Sequence, residues 1–475
     1  MTNLSDFHRL LLFLIACSLC MATKQAYAQN TAAQETLYVE LTSAIMRAVE
    51  SSPEVGVITA DQDFAAARLN LAKSSRFLPE FNATTAHSLA PALKGEGDTP
   101  TTELYLNPDV ANDWDNLNPF NRIEAEAIQP LYTWGELNNS IKAADFGYRL
   151  EQANVADKEA EIALRTGQLY MSVLLTEELF RLTDRIGNVL EQAKEEIERL
   201  LEDGDSDVDD ADLFQVQISE QEFNRRVVEV AQQRQVARMA LTRQLNLPDG
   251  TVIAPGNVTL EPLAYSLDSL DTYFAMAFDH RPELAQAKAG LAARSALVDV
   301  ARSDFYPKLF AGLSANFSYA AGRFRQPSPY VGDPFRSRSL QLGLGFRQNL
   351  NFLQTKARVE QARAEYNQVK YQEEAATLLI LFEVEEAYRE LIIKEAALEA
   401  QNESLRISRE WLLTEMNNFE FDLGDTENLV RAVQASLQLE ATYYEAVNAY
   451  NVALLELFDA CGVLVDLSRT GTLVE

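Results

Sequence analysis

The sequence predicts a mainly helical protein with a transmembrane β part, in which a strand pair and very long antiparallel coiled-coil helices occur twice. Three observations carry that expectation. The stretches SSPEVGVITADQDFAAARLNLAKSSRFLPEF, from Ser51, and HRPELAQAKAGLAARSALVDVARSDFYPKLF, from His280, share one layout. Short segments of alternating apolar and polar residues follow each of them. Beyond those lie helical runs nearly free of Gly and Pro, of which the 475-residue chain holds only 19 and 15.

Residues 1–28 read as a secretory signal. Arg9 precedes the apolar run Leu10 to Ala22, which is too short to span a bilayer comfortably, and AYA ends at Ala28, so that Gln29 would lead the mature chain. A rival cut is open at Leu14-Ile15-Ala16-Cys17, which resembles a lipoprotein box with Cys17 as the lipidated residue. After ordinary cleavage only Cys461, His87 and His280 survive of the Cys and His, too few for an internal disulfide or a convincing metal site. Stability must then come from packing or assembly.

The first repeat is expected over residues 29–268 and the second over 269–465, with a tail at 466–475. Each opens on Pro-Glu, Pro53-Glu54 or Pro282-Glu283, with Pro suited to the first turn of a helix. Each helix is stopped by an aromatic-rich run ending at Pro79 or Pro307. Strands follow, at about 80–92 and 121–131 in the first half and 308–320 and 338–350 in the second. Leu309, Ala311, Leu313, Ala315, Phe317 and Tyr319 recur at every second position, as do Leu340, Leu342, Leu344 and Phe346, with Gly, Ser, Asn, Gln and Arg between them. A polar loop is expected from about Pro91 to Pro119. Four such strands leave open edges. A small soluble sheet packed on helices is one reading; a transmembrane strand set of roughly 10 residues each, closing only by oligomerisation, is the favoured one.

Long helices are expected at 133–203, 208–247, 351–423 and 426–462. Asn351 to Leu423 contains neither Gly nor Pro and would reach on the order of 100 Å if helical throughout. Val384, Ala387, Tyr388, Leu391 and Ile392 form an amphipathic stripe. Frequent Glu, Lys and Arg exclude a membrane-spanning helix, which leaves antiparallel coiled coil. At the strand-to-helix junctions, Gln129-Pro130 to Glu136 places Thr133 three residues before Glu136, and Asn351 stands three before Gln354. Both pairs predict a capping box and are structural.

Acidic side chains outnumber basic ones 71 to 41, a net charge of −30, which argues against nucleic acid as a partner. No Gly-rich phosphate loop, ligand cluster or nucleophile–base pair is present, so an enzyme is not expected, and no catalytic, cofactor-binding or metal residue is assigned.

The signal peptide, duplicated halves, paired β-segments, very long helices and the QPLYTWG junction at residues 129–135 together resemble the TolC-type outer membrane efflux proteins, over residues 37–465. The resemblance implies a homotrimer in outer membrane lipid, with four strands per protomer in one twelve-stranded barrel and a periplasmic α-helical tube. It implies a passive exit duct of a tripartite efflux or type I secretion system in a Gram-negative outer membrane. A periplasmic adaptor protein and an inner-membrane transporter would open it at the turns near Gly204 and Gly424. At that tip the first turn carries Glu202, Asp203, Asp205, Asp207, Asp209, Asp210 and Asp212, and the second Asp422, Asp425 and Glu427. Repeated around a pore mouth, such charges form a ring that attracts cations; singly, each is an ordinary solvated turn residue. Family members often carry an Asp pair at the start of the second inner helix. Here Leu429 to Ala435 places Arg431 and Gln434 at those positions. Arg431 is suited to gate pairing with a neighbouring carboxylate, or is a plain surface Arg. The alternative function is a periplasmic coiled-coil scaffold or adaptor-like interaction protein without a pore.

Overall fold

The computed structural model describes residues 36–77, 79–94, 111–203, 210–248, 251–255, 259–323, 332–420 and 426–473. The signal segment and Cys17 lie outside the described residues. Strand β1 (Thr36–Val39) leads into α1 (Leu41–Ser51) and α2 (Pro53–Ser74), then β2 (Glu80–Lys94), β3 (Ala111–Tyr132), α3 (Glu136–Asp203) and α4 (Asp210–Gln244). After β4 (Val252–Pro255) the plan repeats as α5 (Leu270–His280), α6 (Pro282–Ser303), β5 (Lys308–Ala320), β6 (Arg338–Arg347), α7 (Phe352–Glu420) and α8 (Thr426–Ala460), followed by α9 (Leu464–Thr470). The duplication is nearly quantitative in the helices, with lengths of 11, 22, 68 and 35 residues in the first half and 11, 22, 69 and 35 in the second. Pro53 and Pro282 each open a helix as expected, where the missing N–H costs no hydrogen bond.

The chain divides into two compact units that interleave the two repeats. One comprises Val57–Val155 with Pro282–Leu378; the other comprises Met1–Gly56, Ala156–Arg281 and Leu379–Glu475. The first holds a four-stranded antiparallel sheet in the order β2-β3-β5-β6. Small contacts bring its helices together: a Cβ at Gly290 of α6 would stand 3.5 Å from Leu150 and 3.7 Å from Val369. Gln62 of α2 donates to the Tyr148 hydroxyl of α3 at 3.3 Å, and Arg294 pairs with Glu365 at 2.6 Å.

In the second unit α3 lies antiparallel to both α4 and α8. Lys194–Glu220 and Glu177–Arg234 pairs tie α3 to α4, while Gln168 donates to Glu456 of α8 at 3.0 Å. Ile45, Ile162, Met171, Leu391, Leu454, Leu455 and Leu457 are fully buried there, each contributing about 1.5–3 kcal/mol by removal from water. Gly167 permits a close crossing, since a Cβ on it would lie 2.7 Å from Leu455 Cδ1.

Three expectations need correction, and one strand pair lies outside them. The polar loop from Pro91 to Pro119 is partly strand: β2 runs to Lys94 and β3 begins at Ala111, joined across a register shift at Pro91/Ala92 that the alternation could not show. A parallel pair of β1 with β4 adds to the expected strands, and strands of four residues carry no readable period. The tail assigned to 466–475 starts inside α9, whose Leu464 and Ser468 are buried and whose C-cap Gly471 sits at φ 77°. Neither capping box forms. Thr133 Oγ1 accepts from the Leu137 N–H at 3.4 Å, but the Glu136 carboxylate turns to Lys308 at 2.7 Å, a stronger partner than a backbone N–H. The Asn351 N–H donates to Asn349 Oδ1 at 3.0 Å rather than to Gln354.

Candidate functional site

The sheet has two chemically opposed faces, because period-2 alternation holds in register across all four strands. One row reads Phe81–Ala127–Leu313–Leu342 and the next Ala83–Ala125–Ala315–Leu340. The rows between them, on the other face, read Asn82–Glu126–Ser314–Gln341 and Thr84–Glu124–Asn316–Ser339. Polar groups there bond along the face: Arg122 to Glu124 at 2.9 Å, and Asn316 to Glu124 at 2.9 Å. On the apolar face, Leu340, Leu342, Leu344 and Phe346 of the edge strand β6 are 74–81% exposed. Such an apolar stripe on an open edge demands a non-aqueous neighbour or another strand.

An aromatic cluster marks the end of the sheet where strands become helices. The turn at Trp134 and Gly135 has positive φ at both residues, 53° and 89°. For Trp that conformation is costly, on the order of 1–3 kcal/mol, and its surroundings hold it. Trp134 Nε1 donates to the Pro307 carbonyl at 2.8 Å, and the indole stacks on Tyr306 at 4.8 Å and meets Tyr132 edge-on at 5.1 Å. Phe77, Tyr132, Trp134 and Tyr306 are all exposed, as aromatic rings at a membrane boundary would be.

At the opposite end a small core forms from Ala90, Phe120 and Ala320, with Phe335 packed against it. Arg323 is buried beside it and makes a two-pronged pair with Asp333, Nε to Oδ2 at 2.9 Å and Nη2 to Oδ1 at 3.1 Å. Its Nη1 donates to the Pro91 carbonyl at 2.5 Å and to Asn112 Oδ1 at 3.0 Å. No periodicity marks this pair in the sequence, since both residues lie between strands β5 and β6.

The helical unit carries two buried carboxylates that tie helices together. Glu440 of α8 accepts from Arg185 of α3 at 3.0 Å and from Arg409 of α7 at 3.3 Å. Glu177 of α3 accepts from Arg234 of α4 at 2.9 Å and from Arg238. Glu440 lies on the stripe Ala432, Ser436, Glu440, Val447, Asn451 and Leu454, all buried, so a charge at core spacing was a usable signal. The Cys461 thiol, at zero exposure, is pushed up to about 12 by burial and is neutral.

Of the tip residues, Gly204, Asp205, Asp207, Asp209, Asp422, Gly424 and Asp425 lie outside the described residues. Asp210 opens α4 and is exposed; Asp212 and Glu427 fall in the first turns of α4 and α8. Arg431 and Gln434 are exposed on α8, and Gln434 lines a groove of about 490 Å³ with Leu182, Ile186, Phe223 and Leu437. Pro130 sits at a register shift near the end of β3, and Thr133, Glu136, Asn351 and Gln354 are at the junctions as expected. No described helix is long and apolar enough to cross a membrane.

Residues 275–463 match a family model described as outer membrane efflux protein. Among solved structures, the chain is similar to the MtrE outer membrane channel of Neisseria gonorrhoeae in its open state, with a TM-score of 0.70, 17% identity, and 89% of each chain covered. The Campylobacter jejuni CmeC outer membrane channel gives 0.68 and 14%, over 89% of this chain and 85% of that one. The Vibrio cholerae outer membrane protein VceC gives 0.68 and 15%, over 89% and 96%. No curated protein matches by sequence.

Proposed function

We propose that this chain, whose residues 275–463 match the outer membrane efflux protein family model and whose fold is that of outer-membrane channels, is the exit duct of a tripartite efflux or type I secretion system. It conducts passively from periplasm to exterior and catalyses no reaction. The observation that carries this is the pair of opposed rows, Phe81–Ala127–Leu313–Leu342 against Asn82–Glu126–Ser314–Gln341. The first row suits lipid and the second a water-filled lumen.

Three copies reconcile the sheet with a barrel. Four strands are fewer than the roughly 8 of the smallest bacterial outer-membrane barrels, and β2 and β6 each have one unpaired edge among the described residues. A homotrimer joins those edges into twelve strands with no free edge. Opening at the periplasmic end falls to a periplasmic adaptor and an inner-membrane transporter acting near Gly204 and Gly424. The acidic run Asp205, Asp207, Asp209, Asp210 and Asp212, with Asp422, Asp425 and Glu427, forms a cation-preferring ring there. Arg431 and Gln434 replace an acidic pair in the same region, which makes Arg431 the residue to test for gate pairing.

Electron-microscopy averages of the purified, signal-processed protein test the reading together with single-channel recording in planar bilayers. A threefold particle with a membrane-thick barrel and discrete conductance steps is expected. A monomeric rod that conducts nothing refutes the duct and favours the pore-less scaffold. Replacing Asp205, Asp207, Asp209 and Asp210 by Asn should weaken cation selectivity; an unchanged reversal potential removes the acidic ring from the account.

A further inference from the structure

The described part of the β5–β6 connection, residues 321–323 and 332–337, turns back over the polar face. The β5–β6 ladder extends one pair beyond the start of β6, with Ser318 and Ser337 exchanging backbone hydrogen bonds at 2.8 and 3.1 Å. Phe335 then lies on Phe120, edge to face at 5.4 Å. Phe120 is on the polar side, since it shares the parity of Arg122, Glu124 and Glu126 on β3. Along β2 that face is exposed through Asn82, Thr84, Ala86 and Ser88, and closes abruptly at Ala90. Ala90 and Ala320 are both at zero exposure and leave the recess that the Phe335 ring fills.

Burial of a guanidinium needs a full set of acceptors, and here the acceptors come from both hairpins. Arg323 takes Asp333 from its own connection, and the Pro91 carbonyl and Asn112 from the β2–β3 hairpin. Its guanidinium also lies 4.8 Å from the Phe335 ring centroid. Asp333 in turn accepts the Phe335 N–H at 3.0 Å, and Arg336 donates to the Arg323 carbonyl. Gly322, at φ 77°, makes the turn where a Cβ would strike the Asn118 side chain at 2.5 Å.

We propose that residues 332–337 form an inward-folded constriction at the outer mouth of the duct, pinned over the lumen by the buried Arg323–Asp333 pair and wedged by Phe335. It restricts the size of what passes that mouth, independently of the periplasmic end. This rests on the reading that the polar face lines the lumen.

Whole cells carrying Ser314→Cys, on the polar face below the constriction, are labelled from outside with a small maleimide and with a polyethylene glycol maleimide of about 5 kDa. Leu313→Cys on the opposite face is the control, and buried Cys461 gives little background. In the parent the small reagent labels Ser314→Cys and the bulky one does so slowly. Adding Arg323→Ala or Phe335→Ala should raise the bulky reagent's rate roughly tenfold or more, as a locally opened segment would, and leave the small reagent's rate within about twofold. Phe335→Ala keeps the ion pair and carries the test if Arg323→Ala fails to assemble. A bulky-reagent rate unchanged in Phe335→Ala overturns the constriction. If instead the small reagent labels Leu313→Cys as readily as Ser314→Cys, the lumen reading itself fails.

Discussion

Placing one positive charge on β6 separates the two faces of the sheet energetically. Leu342 is 81% exposed and sits mid-way along an apolar stripe that is bounded by Arg338 and Arg347. The span between those two arginines is about 30 Å along the strand at ~3.3 Å per residue. At a tilt near 40° it covers about 23 Å of a bilayer, close to the apolar band of an outer-membrane barrel. Leu342→Arg therefore puts a guanidinium near the midplane, at a cost of about 2–4 kcal/mol per protomer. That corresponds to a loss of roughly 30- to 700-fold in the folding equilibrium. Gln341→Arg, one residue away on the opposite face beside Ser314, should cost no more than about 0.5 kcal/mol. Urea titration of folding into phosphatidylcholine vesicles, read by Trp fluorescence, measures both. Equal losses in the two variants, or a Leu342→Arg protein that folds like the parent, would refute a lipid-facing stripe.

Other expectations follow from the helical unit. Glu440→Ala strands Arg185 and Arg409 and should destabilise it by about 1.5–3 kcal/mol; hydrogen exchange should rise around both arginines, and unchanged protection counts against the tie. Gly167→Ala gains about 1 kcal/mol of helix propensity but meets Leu455 at 2.7 Å, an overpacking cost of about 1–3 kcal/mol, so thermal melting should fall or stay level. Gly187→Ala meets Phe223 only at 3.5 Å and should melt higher. Burial holds the Glu456 carboxyl above its usual range, against the opposing Gln168 hydrogen bond. The folded chain thus binds that proton more tightly than the unfolded chain, and the group's contribution is full at low pH and lost as pH rises through the raised value. Glu456→Gln should raise the melting temperature near neutral pH and give no gain near about pH 4; a pH-independent difference would count against it.

Elements with a long period were legible in the sequence. Strand β5 was expected at 308–320 and is found there, because six alternating residues fix both its face and its ends. The helices from Glu136, Asp210, Phe352 and Thr426 lie within a few residues of expectation, since only Gly, Pro and polar turns can end them. What stayed hidden depends on contacts distant in sequence. Glu136 has the spacing of a capping residue, yet its carboxylate pairs with Lys308, which is 172 positions away in sequence. Arg323 and Asp333 meet because a turn folds inward, and no periodicity records that. The β1–β4 pair joins Thr36 to Val252, which short-range patterning does not register.

The pairing of β3 with β5 bears on how such a chain is made. Each hairpin partner is near in sequence, yet Ala125 must find Ala315 across the whole of α3 and α4. Closing so long a loop is slow. Synthesis therefore releases the β2–β3 hairpin, with its edge and apolar face bare, long before β5 exists. That interval is when aggregation competes with folding. In the complete sheet β2 and β6 still each keep one unpaired edge among the described residues. The waiting hairpin, rather than the complete four-stranded sheet, is then the species most exposed to wrong strand pairing.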